Sequence, residues 1–359
     1  MKANSVIAIP VKINWHPGLS IFASEQFLKS VSDEYGWLGG VDFSGKLKCI
    51  LPYTIIRRAT VRMVRFRVET ISLGGELDVK EEKSFLNRVV EYFRFARADI
   101  VIPATTNAIF RTYPNRAIAA PYGTYIIDLS QPEEILWDNL HSKHRNVIRN
   151  AIKKGVQIYS GMEHVDMAYR FVRDTFKRSA LSFMGYDSFM RMVSGLDQNV
   201  RIFVAVYQGG VQSCAVIPFS NHSAYYVYGG TCPEPLTGAA NLLQWEAIRH
   251  FRAEGVKHYD FCGVRINPEK GSKQAGLIMF KERFGPRLVQ GYIWKCALNP
   301  LKSIVYSLAV RLFRGGDIVD EERQKLKSLG DIEKIALQAM PQLGLRASDS
   351  VCVYGDSFA

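Results

Sequence analysis

The chain has 359 residues, of which 47% are apolar and 22% charged, and this balance excludes intrinsic disorder and collagen-like repeats. Lysine and arginine number 46 against 34 aspartate and glutamate, so the net charge is +12. This charge favours anionic or phosphate-bearing partners, although a merely basic protein would carry the same charge. At roughly 150 residues per domain, the length predicts two domains.

The cysteine usage predicts a reduced protein without a structural metal. Six cysteines are scattered, with no C-x-x-C pair and no histidine at zinc-finger spacing: Cys49, Cys214, Cys232, Cys262, Cys296 and Cys352. The N-terminus has no signal-peptide cleavage pattern, and no segment reaches the roughly 18 apolar residues of a spanning helix. We therefore expect a cytoplasmic protein that is neither exported nor integral to a membrane.

Strand and helix patterns follow one another in the first part of the chain. Ser24 predicts the N-cap of a helix that contains Phe27, Leu28 and Val31. In a later strand-like run, Arg62, Arg65 and Arg67 interleave with apolar residues. The predicted elements are strands over 46–56, 60–71, 98–103 and 124–129 and an amphipathic helix over 81–96.

The second part of the chain has a similar plan. A hairpin is predicted at Gln208-Gly209-Gly210. The predicted elements are strands over 156–160, 201–207, 211–220, 224–229 and 257–261 and helices over 164–179, 187–194 and 239–254. The order of elements predicts an α/β protein with mixed sheets flanked by helices.

A basic segment connects the two parts. A long helix is predicted to begin after Glu134, to run to Lys154 and to end at Gly155. One stretch of it carries five cationic residues and no acid: Lys143, Arg145, Arg149, Lys153 and Lys154. Such a row attracts polyanions such as RNA, although a solvated helix face would have the same composition.

The residues 137–156 read W-x-x-L-x-x-K-x-R-x-x-I-R-x-A-x-K-x-G-V, and this pattern resembles the linker region of the FemABX family of peptidoglycan-bridge aminoacyltransferases. Three further matches follow in the family's order. They are Thr175 to Arg178; Tyr225 to Thr231 leading into Asn241 to Ile248; and Tyr259 to Val264 preceding Phe280 to Gly285. The resemblance spans about 137–285, whereas the first 130 residues match only in general plan.

The resemblance implies two GNAT-like acyltransferase domains joined by the basic helix. The predicted boundaries are a first domain over 1–135, the linker helix over 136–155 and a second domain over 156–299, and the sequence pattern adds a C-terminal amphipathic helix and tail over 300–359. The implied activity is transfer of an amino acid from an aminoacyl-tRNA to the amine of a nucleotide- or lipid-linked peptidoglycan precursor peptide. No cofactor is expected, because the aminoacyl-tRNA is a co-substrate.

The resemblance also implies a set of site residues. Lys281, beside Phe280, matches the position that faces the aminoacyl end of the RNA, where an ammonium could stabilise an oxyanion. Arg178 matches an arginine that binds the precursor phosphates. Tyr228 is expected to contact substrate, and alternation along a strand would place Tyr226 on the same face. Asp260 ends a strand, where its carboxylate could orient an amine or only cap a turn.

Two other functions stay open. An acyl-CoA-dependent N-acyltransferase of the same architecture would act on a sugar nucleotide or polysaccharide precursor with acetyl-CoA or another acyl-CoA. The loop over 236–240 lies where such proteins hold the phosphates, but Pro235 stands where they usually carry Gln or Arg. The third function is noncatalytic binding of RNA or of an anionic membrane.

The pair His141 and His144 lacks a third ligand, so no metal site is predicted.

The C-terminal extension begins with an amphipathic basic helix over 301–313. Such a helix can lie on anionic lipid, which would make the protein peripheral at the inner face of the membrane, or it can dock on its own domain. Residues 315–359 are more charged and weakly patterned, so no further element is predicted there.

Overall fold

The computed structural model describes residues 6–75 and 77–339, so Cys352 and residues 340–359 of the predicted tail lie outside the described residues. The strands are β1 (Ile7–Val11), β2 (Glu34–Val41), β3 (Leu47–Arg58), β4 (Val61–Phe66), β5 (Ile71–Ser72), β6 (Ile100–Val101), β7 (Ile118–Asp128), β8 (Gln157–Ser160), β9 (Val200–Tyr207), β10 (Gly210–Pro218), β11 (Ala224–Tyr225), β12 (Tyr228–Thr231), β13 (His258–Asp260) and β14 (Arg287–Ala297). The helices are α1 (Glu25–Val31), α2 (Val79–Phe95), α3 (Glu133–Asn139), α4 (Ser142–Lys153), α5 (Val165–Lys177), α6 (Tyr186–Leu196), α7 (Ala239–Ala253), α8 (Lys273–Glu282), α9 (Pro300–Arg314) and α10 (Ile318–Ala339).

A large mixed sheet runs through both parts of the chain. Its order is β1-β2-β3-β4-β6-β14-β7-β13-β11, with β5 beside β3. Strand β14 comes late in the sequence, yet it lies between β6 and β7, and its register with β7 runs from Arg287 opposite Ile126 to Lys295 opposite Ile118. Hydrogen-bonded pairing therefore crosses the predicted domain boundaries, which themselves stay predictions.

A smaller antiparallel sheet, in the order β12-β10-β9-β8, lies in the second part of the chain. Helix α7 contacts β9 and β10, and helix α5 contacts β10 and β12. The apolar stripes of α5 and α6 face a core that contains Val172, Phe189 and Val216, while α7 faces a separate core around Trp245 and Phe251. Each helix therefore buries the apolar face that its sequence period of 3.6 predicts.

One segment passes from the large sheet to the small one. Strand β11 pairs in parallel with β13, whereas β12 pairs with β10, so the chain leaves one sheet at Tyr226 and enters the other at Tyr228. The predicted continuous strand over 224–229 is wrong, and with it the alternation that placed Tyr226 and Tyr228 on one face. A strand pattern keeps its period of two only while it stays in one sheet.

The predicted single helix up to Lys154 is also wrong, because α3 and α4 are separated by Leu140 and His141. Leu140 is extended, and His141 accepts a hydrogen bond from the backbone N–H of Lys143, which makes it the N-cap of α4. The His141 N–H donates to the carbonyl of Arg283 over 2.9 Å. This long-range hydrogen bond offsets the helical hydrogen bonds that are lost at the break. The local sequence pattern does not reveal such a distant partner.

The C-terminal extension contains a helix that the sequence analysis did not predict. Helix α10 follows α9, and ion pairs bind it to the large sheet and to the loop after β13. Lys295 contacts Asp317 and Asp320, and Arg265 contacts Glu321 and Glu322. These ion pairs, together with the buried Val319 that packs against Ile109 and Ile293, hold the start of α10 in place although the segment has no strong apolar period.

Several local predictions are confirmed. The Ser24 side chain accepts from the Phe27 N–H at the start of α1, and α4 ends before Gly155, whose φ is +87°. A hairpin at Gln208-Gly209 joins β9 and β10. In the described ranges, no helix combines the length and apolar character needed to cross a membrane.

Candidate active site

A cavity of about 730 Å³ lies between the two parts of the chain. One wall comes from α1, β3, β4 and the loop over 104–107, and the other from α5, α6 and the start of β12. Aromatic and aliphatic side chains cover much of it: Phe22, Phe27, Ile56, Phe176, Met184, Val227 and Tyr228. We call it the acceptor cavity, and its mixed lining suits an elongated ligand with apolar and anionic parts.

Four arginines line the acceptor cavity: Arg58, Arg65, Arg67 and Arg191. Arg67 is buried, and its Nε donates to Thr54 Oγ1 over 2.8 Å. Burial, together with the charge of Arg65, lowers the pKa of Arg67 to about 9. The described lining residues of this cavity include no aspartate or glutamate. Guanidinium groups in such a setting suit the oxygens of phosphates or carboxylates.

Lys281 lies behind one wall of the acceptor cavity. Thr106 lines the cavity and approaches Gly263 so closely that a Cβ on that glycine would lie 2.8 Å from the Thr106 Cβ. The Lys281 ammonium donates to the carbonyls of Cys262 and Gly263, the latter over 2.9 Å. These two hydrogen bonds fix the ammonium beside the turn that follows β13.

The backbone that holds Lys281 is in a rare conformation. Cys262 and Gly263 have φ values of +51° and +47°, so both lie in the left-handed region directly after β13. For a residue with a Cβ this conformation is costly and persists where the surroundings enforce it, often at functional sites. Here it turns two successive carbonyls toward one ammonium.

Asp260 completes the surroundings of Lys281. Its buried carboxylate accepts hydrogen bonds from the Thr124 hydroxyl and, over 2.7 Å, from the Cys262 N–H. Burial raises the pKa of Asp260 to about 6, opposed by these hydrogen bonds and by the nearby Lys281. Burial also lowers the pKa of Lys281, which Cys262 and Asp260 partly offset. The predicted turn-capping role is present, and the carboxylate also acts electrostatically on Lys281.

Glu69 is a residue that the sequence analysis missed. It follows the arginine-bearing strand β4, and its carboxylate lies in electrostatic range of Asp260 and Cys262. Burial and the Asp260 charge raise the pKa of Glu69 to about 7, although the Ile109 N–H bonds to it. The available signal was an acid directly after a run of arginines, but only the tertiary structure brings it near residue 260.

A second cavity, about 460 Å³, lies on the other side of α8, between α4 and the start of α7. Its lining is Lys143, His144, Asn146, Val147, Asn241, Gly276, Met279, Phe280 and Arg283. His144 Nε2 lies 3.0 Å from the Phe280 carbonyl oxygen and 3.1 Å from Asn241 Nδ2, and burial lowers the pKa of His144 to about 4. We call this the donor cavity. His144 is therefore neutral at pH 7 and joins the three helices.

The predicted substrate-binding residues are dispersed. Tyr228 lines the acceptor cavity, whereas Tyr226 packs against the core under α7. Arg178 is exposed and donates to the Thr175 hydroxyl and the Thr231 carbonyl. Arg178 is not among the described lining residues, so Arg191 and the β3–β4 arginines are the cations that the acceptor cavity presents.

The predicted RNA-binding residues lie on α4, with different surroundings. Lys143 lines the donor cavity, and Lys153 and Lys154 are exposed. Arg149 lies over the Trp137 ring at 5.4 Å, and Arg145 donates to the carbonyls of Asp138 and Leu140. Arg145 thereby stabilises the break between α3 and α4. Across the described residues, no cluster of three metal-ligating side chains occurs.

The loop over 236–240, which would hold the phosphates of an acyl-CoA, is in contact with α4. Gly238 is the N-cap of α7 with φ of +91°, and a Cβ there would lie 2.3 Å from the Val147 carbonyl oxygen. Helix α4 therefore packs against the position that a pyrophosphate would need at the start of α7.

Comparisons with known proteins agree with the resemblance. Residues 142–271 match the family profile of the acetyltransferase (GNAT) domain. A lipid II:glycine glycyltransferase of Staphylococcus haemolyticus (strain JCSC1435) is 35% identical over 77 residues, which are 21% of this chain and 18% of the relative. That of Staphylococcus saprophyticus subsp. saprophyticus is 31% identical over 94 residues, 26% of this chain and 23% of the relative. The chain thus spans about a fifth of the length of these relatives.

Among solved structures, that of FemX superposes with a TM-score of 0.59 at 14% sequence identity, over 81% of this chain and 95% of FemX. At this identity the likeness concerns the fold. The predicted α/β fold of GNAT type is confirmed, and so is the resemblance to FemABX-type proteins on which the prediction was based.

Proposed function

We propose that the chain is an acyltransferase that moves an amino acid from an aminoacyl-tRNA to the amine of a peptidoglycan precursor peptide. The similarity to lipid II:glycine glycyltransferases supports a precursor of this kind. The donor, the amino acid and the linkage of the precursor are parts of the proposal that solution experiments have to test.

The observation that carries the proposal is the place of two consecutive residues on α8. Phe280 lines the donor cavity, and Lys281 approaches the acceptor cavity through Gly263 and Thr106. A transferase must bring two substrates together at one point, and α8 presents Phe280 to one cavity while Lys281 bonds to the turn that packs against Thr106 in the wall of the other. Cationic Lys143 and Arg283 at the donor cavity suit an RNA end, while the arginines of the acceptor cavity suit a diphosphate.

The reaction asks for positioning more than for covalent catalysis, because the ester of an aminoacyl-tRNA is already activated. The neutral acceptor amine attacks the ester carbonyl, the C–N bond forms, and the ester C–O bond breaks as the ribose oxygen leaves with a proton. The Lys281 ammonium would stabilise the oxyanion of the tetrahedral intermediate. The carboxyls of Asp260 and Glu69, with pKa values of about 6 and 7, suit acceptance of the proton that the amine releases.

The contact between Gly238 and Val147 is our reason to prefer an RNA donor over an acyl-CoA. An acyl-CoA would require α4 to move from the start of α7, whereas the end of an RNA would enter the donor cavity beside α4. The exposed cations Arg149, Lys153 and Lys154 continue from that cavity along α4 and would bind RNA backbone.

The donor is tested with the purified chain, radiolabelled aminoacyl-tRNAs or acetyl-CoA, and nucleotide-linked or lipid-linked precursor peptides, with and without ribonuclease. We expect amino-acid transfer that ribonuclease abolishes. Transfer from acetyl-CoA that ribonuclease does not affect would contradict the proposal and indicate an acyl-CoA-dependent N-acyltransferase. Binding of RNA without any transfer would favour a noncatalytic protein.

Replacement of Lys281 by methionine tests the catalytic role. The Lys281→Met variant keeps the length of the side chain but lacks the charge, so kcat should fall on the order of 100-fold, as for loss of one oxyanion donor. Lys273→Ala is the matched control, because Lys273 lies on the same helix, is exposed and contacts only the Ser179 hydroxyl among the described contacts. Equal kcat values for Lys281→Met and the parent would exclude Lys281 from the reaction.

A further inference from the structure

Helix α9 exposes a stripe of large aliphatic side chains. The exposed fractions are 77% for Leu301, 58% for Ile304, 66% for Val305, 56% for Leu308 and 82% for Leu312. At 100° per residue these five positions fall within an arc of about 100° on the helix. A continuous aliphatic face of this kind on a surface helix marks an interaction site, unlike single exposed leucines.

The opposite face of α9 holds the helix on the body of the protein. Ser303 is buried and its hydroxyl donates to the Asp99 carbonyl over 3.0 Å. Tyr306 packs against the apolar cluster of Met63, Ile100 and Ile102. The helix therefore docks on its own domain through a mixed polar and aromatic face, and this docking leaves the aliphatic stripe directed outward.

The charges around the stripe are cationic. Lys302 and Arg311 flank it, and the sequence of α9 contains no acidic residue. Lys302 also donates to the Thr60 carbonyl and contacts the buried Asp99, so it joins α9 to the β3–β4 turn, where Arg58 is exposed. The acids at the start of α10 face Lys295 and Arg265 instead. An aliphatic stripe between cations is complementary to an anionic lipid surface.

We propose that α9 lies flat on an anionic membrane with Leu301, Ile304, Val305, Leu308 and Leu312 inserted among the lipids. The acceptor cavity is adjacent to this surface, because Ile56 lines the cavity and also packs against the cluster that Tyr306 contacts. This binding goes beyond the transfer reaction and does not depend on it.

The test uses the full chain and vesicles of phosphatidylcholine alone or mixed with phosphatidylglycerol, followed by flotation. We expect binding to the mixed vesicles that added salt weakens, and little binding to phosphatidylcholine. The double variant Ile304→Gln/Leu308→Gln should lose on the order of tenfold or more in vesicle affinity, because the two aliphatic groups no longer enter the lipid. The matched control is Phe43→Gln/Leu181→Gln, whose residues are 76% and 61% exposed but lie outside the stripe.

Three results would overturn the proposal. They are no binding of the parent to the mixed vesicles, equal binding by the stripe variant, and equal loss by the control variant. If sedimentation shows a dimer of the parent that the stripe variant abolishes while neither binds vesicles, a second copy of the chain covers the stripe instead. Transfer to a nucleotide-linked precursor should be unchanged in the stripe variant, so a failure here leaves the proposed activity independently testable.

Discussion

The buried carboxyl of Glu69 should make the stability of the protein depend on pH, and Glu69→Gln should remove that dependence. Glutamine preserves the length of the side chain and an oxygen that can accept from the Ile109 N–H, but it does not ionise. The comparison between the variant and the parent at several pH values therefore isolates the cost of the charge.

The pKa of Glu69 is raised from 4.5 to about 7 by burial and by the Asp260 charge. The folded state thus holds the proton more tightly than the unfolded state. This contribution to stability is fully present below pH 4.5 and is lost as the pH rises through 7. Between pH 5 and pH 8 the parent should lose about 2.5 kcal/mol of unfolding free energy from this group. Asp260 shares in the effect, so this is an upper value.

Urea unfolding at pH 5, 6, 7 and 8 measures the difference. The unfolding free energy of Glu69→Gln should increase relative to that of the parent as the pH rises, and the difference should be largest at pH 8. Glu234→Gln is the matched control, because Glu234 is exposed and its loss should shift all four values equally. A constant difference between Glu69→Gln and the parent across this range would refute the reasoning that ionisation of the buried Glu69 carboxyl costs stability.

Two further substitutions test the packing and the charge of the site. Gly238→Ala should lower the unfolding free energy, measured in urea, by more than about 2 kcal/mol, because φ is +91° and the new Cβ would lie 2.3 Å from the Val147 carbonyl oxygen. Gly276→Ala is the control: no atom lies within 4 Å of the added Cβ, so this variant should not be destabilised. Unchanged stability of Gly238→Ala would mean that α4 yields easily. Arg191→Met should raise the KM for a nucleotide-linked precursor about tenfold with little effect on kcat or Tm, since Arg191 is an exposed residue of the acceptor cavity. An unchanged KM in steady-state kinetics would place the precursor elsewhere.

The elements with strong local signals could be predicted from the sequence by itself. Ser24 begins α1 as predicted, α2 spans nearly the predicted range, and a hairpin lies at Gln208-Gly209. Capping, a period of 3.6 and turn chemistry are properties of neighbouring residues, so the sequence contains the information directly. The motifs over 137–285 indicated the FemABX-type fold for the same reason, since they are read from consecutive residues.

The tertiary structure decided what depends on distant partners. The chain breaks at Leu140 because His141 bonds to Arg283, and the strand alternation fails after Tyr225 because two sheets compete for one segment. Arg67 and Arg191 meet in one cavity although 124 positions separate them. Strand β14 enters the sheet between strands that precede it by more than 150 residues. Such pairings follow from sheet register and from burial of the whole core, and no local period encodes either.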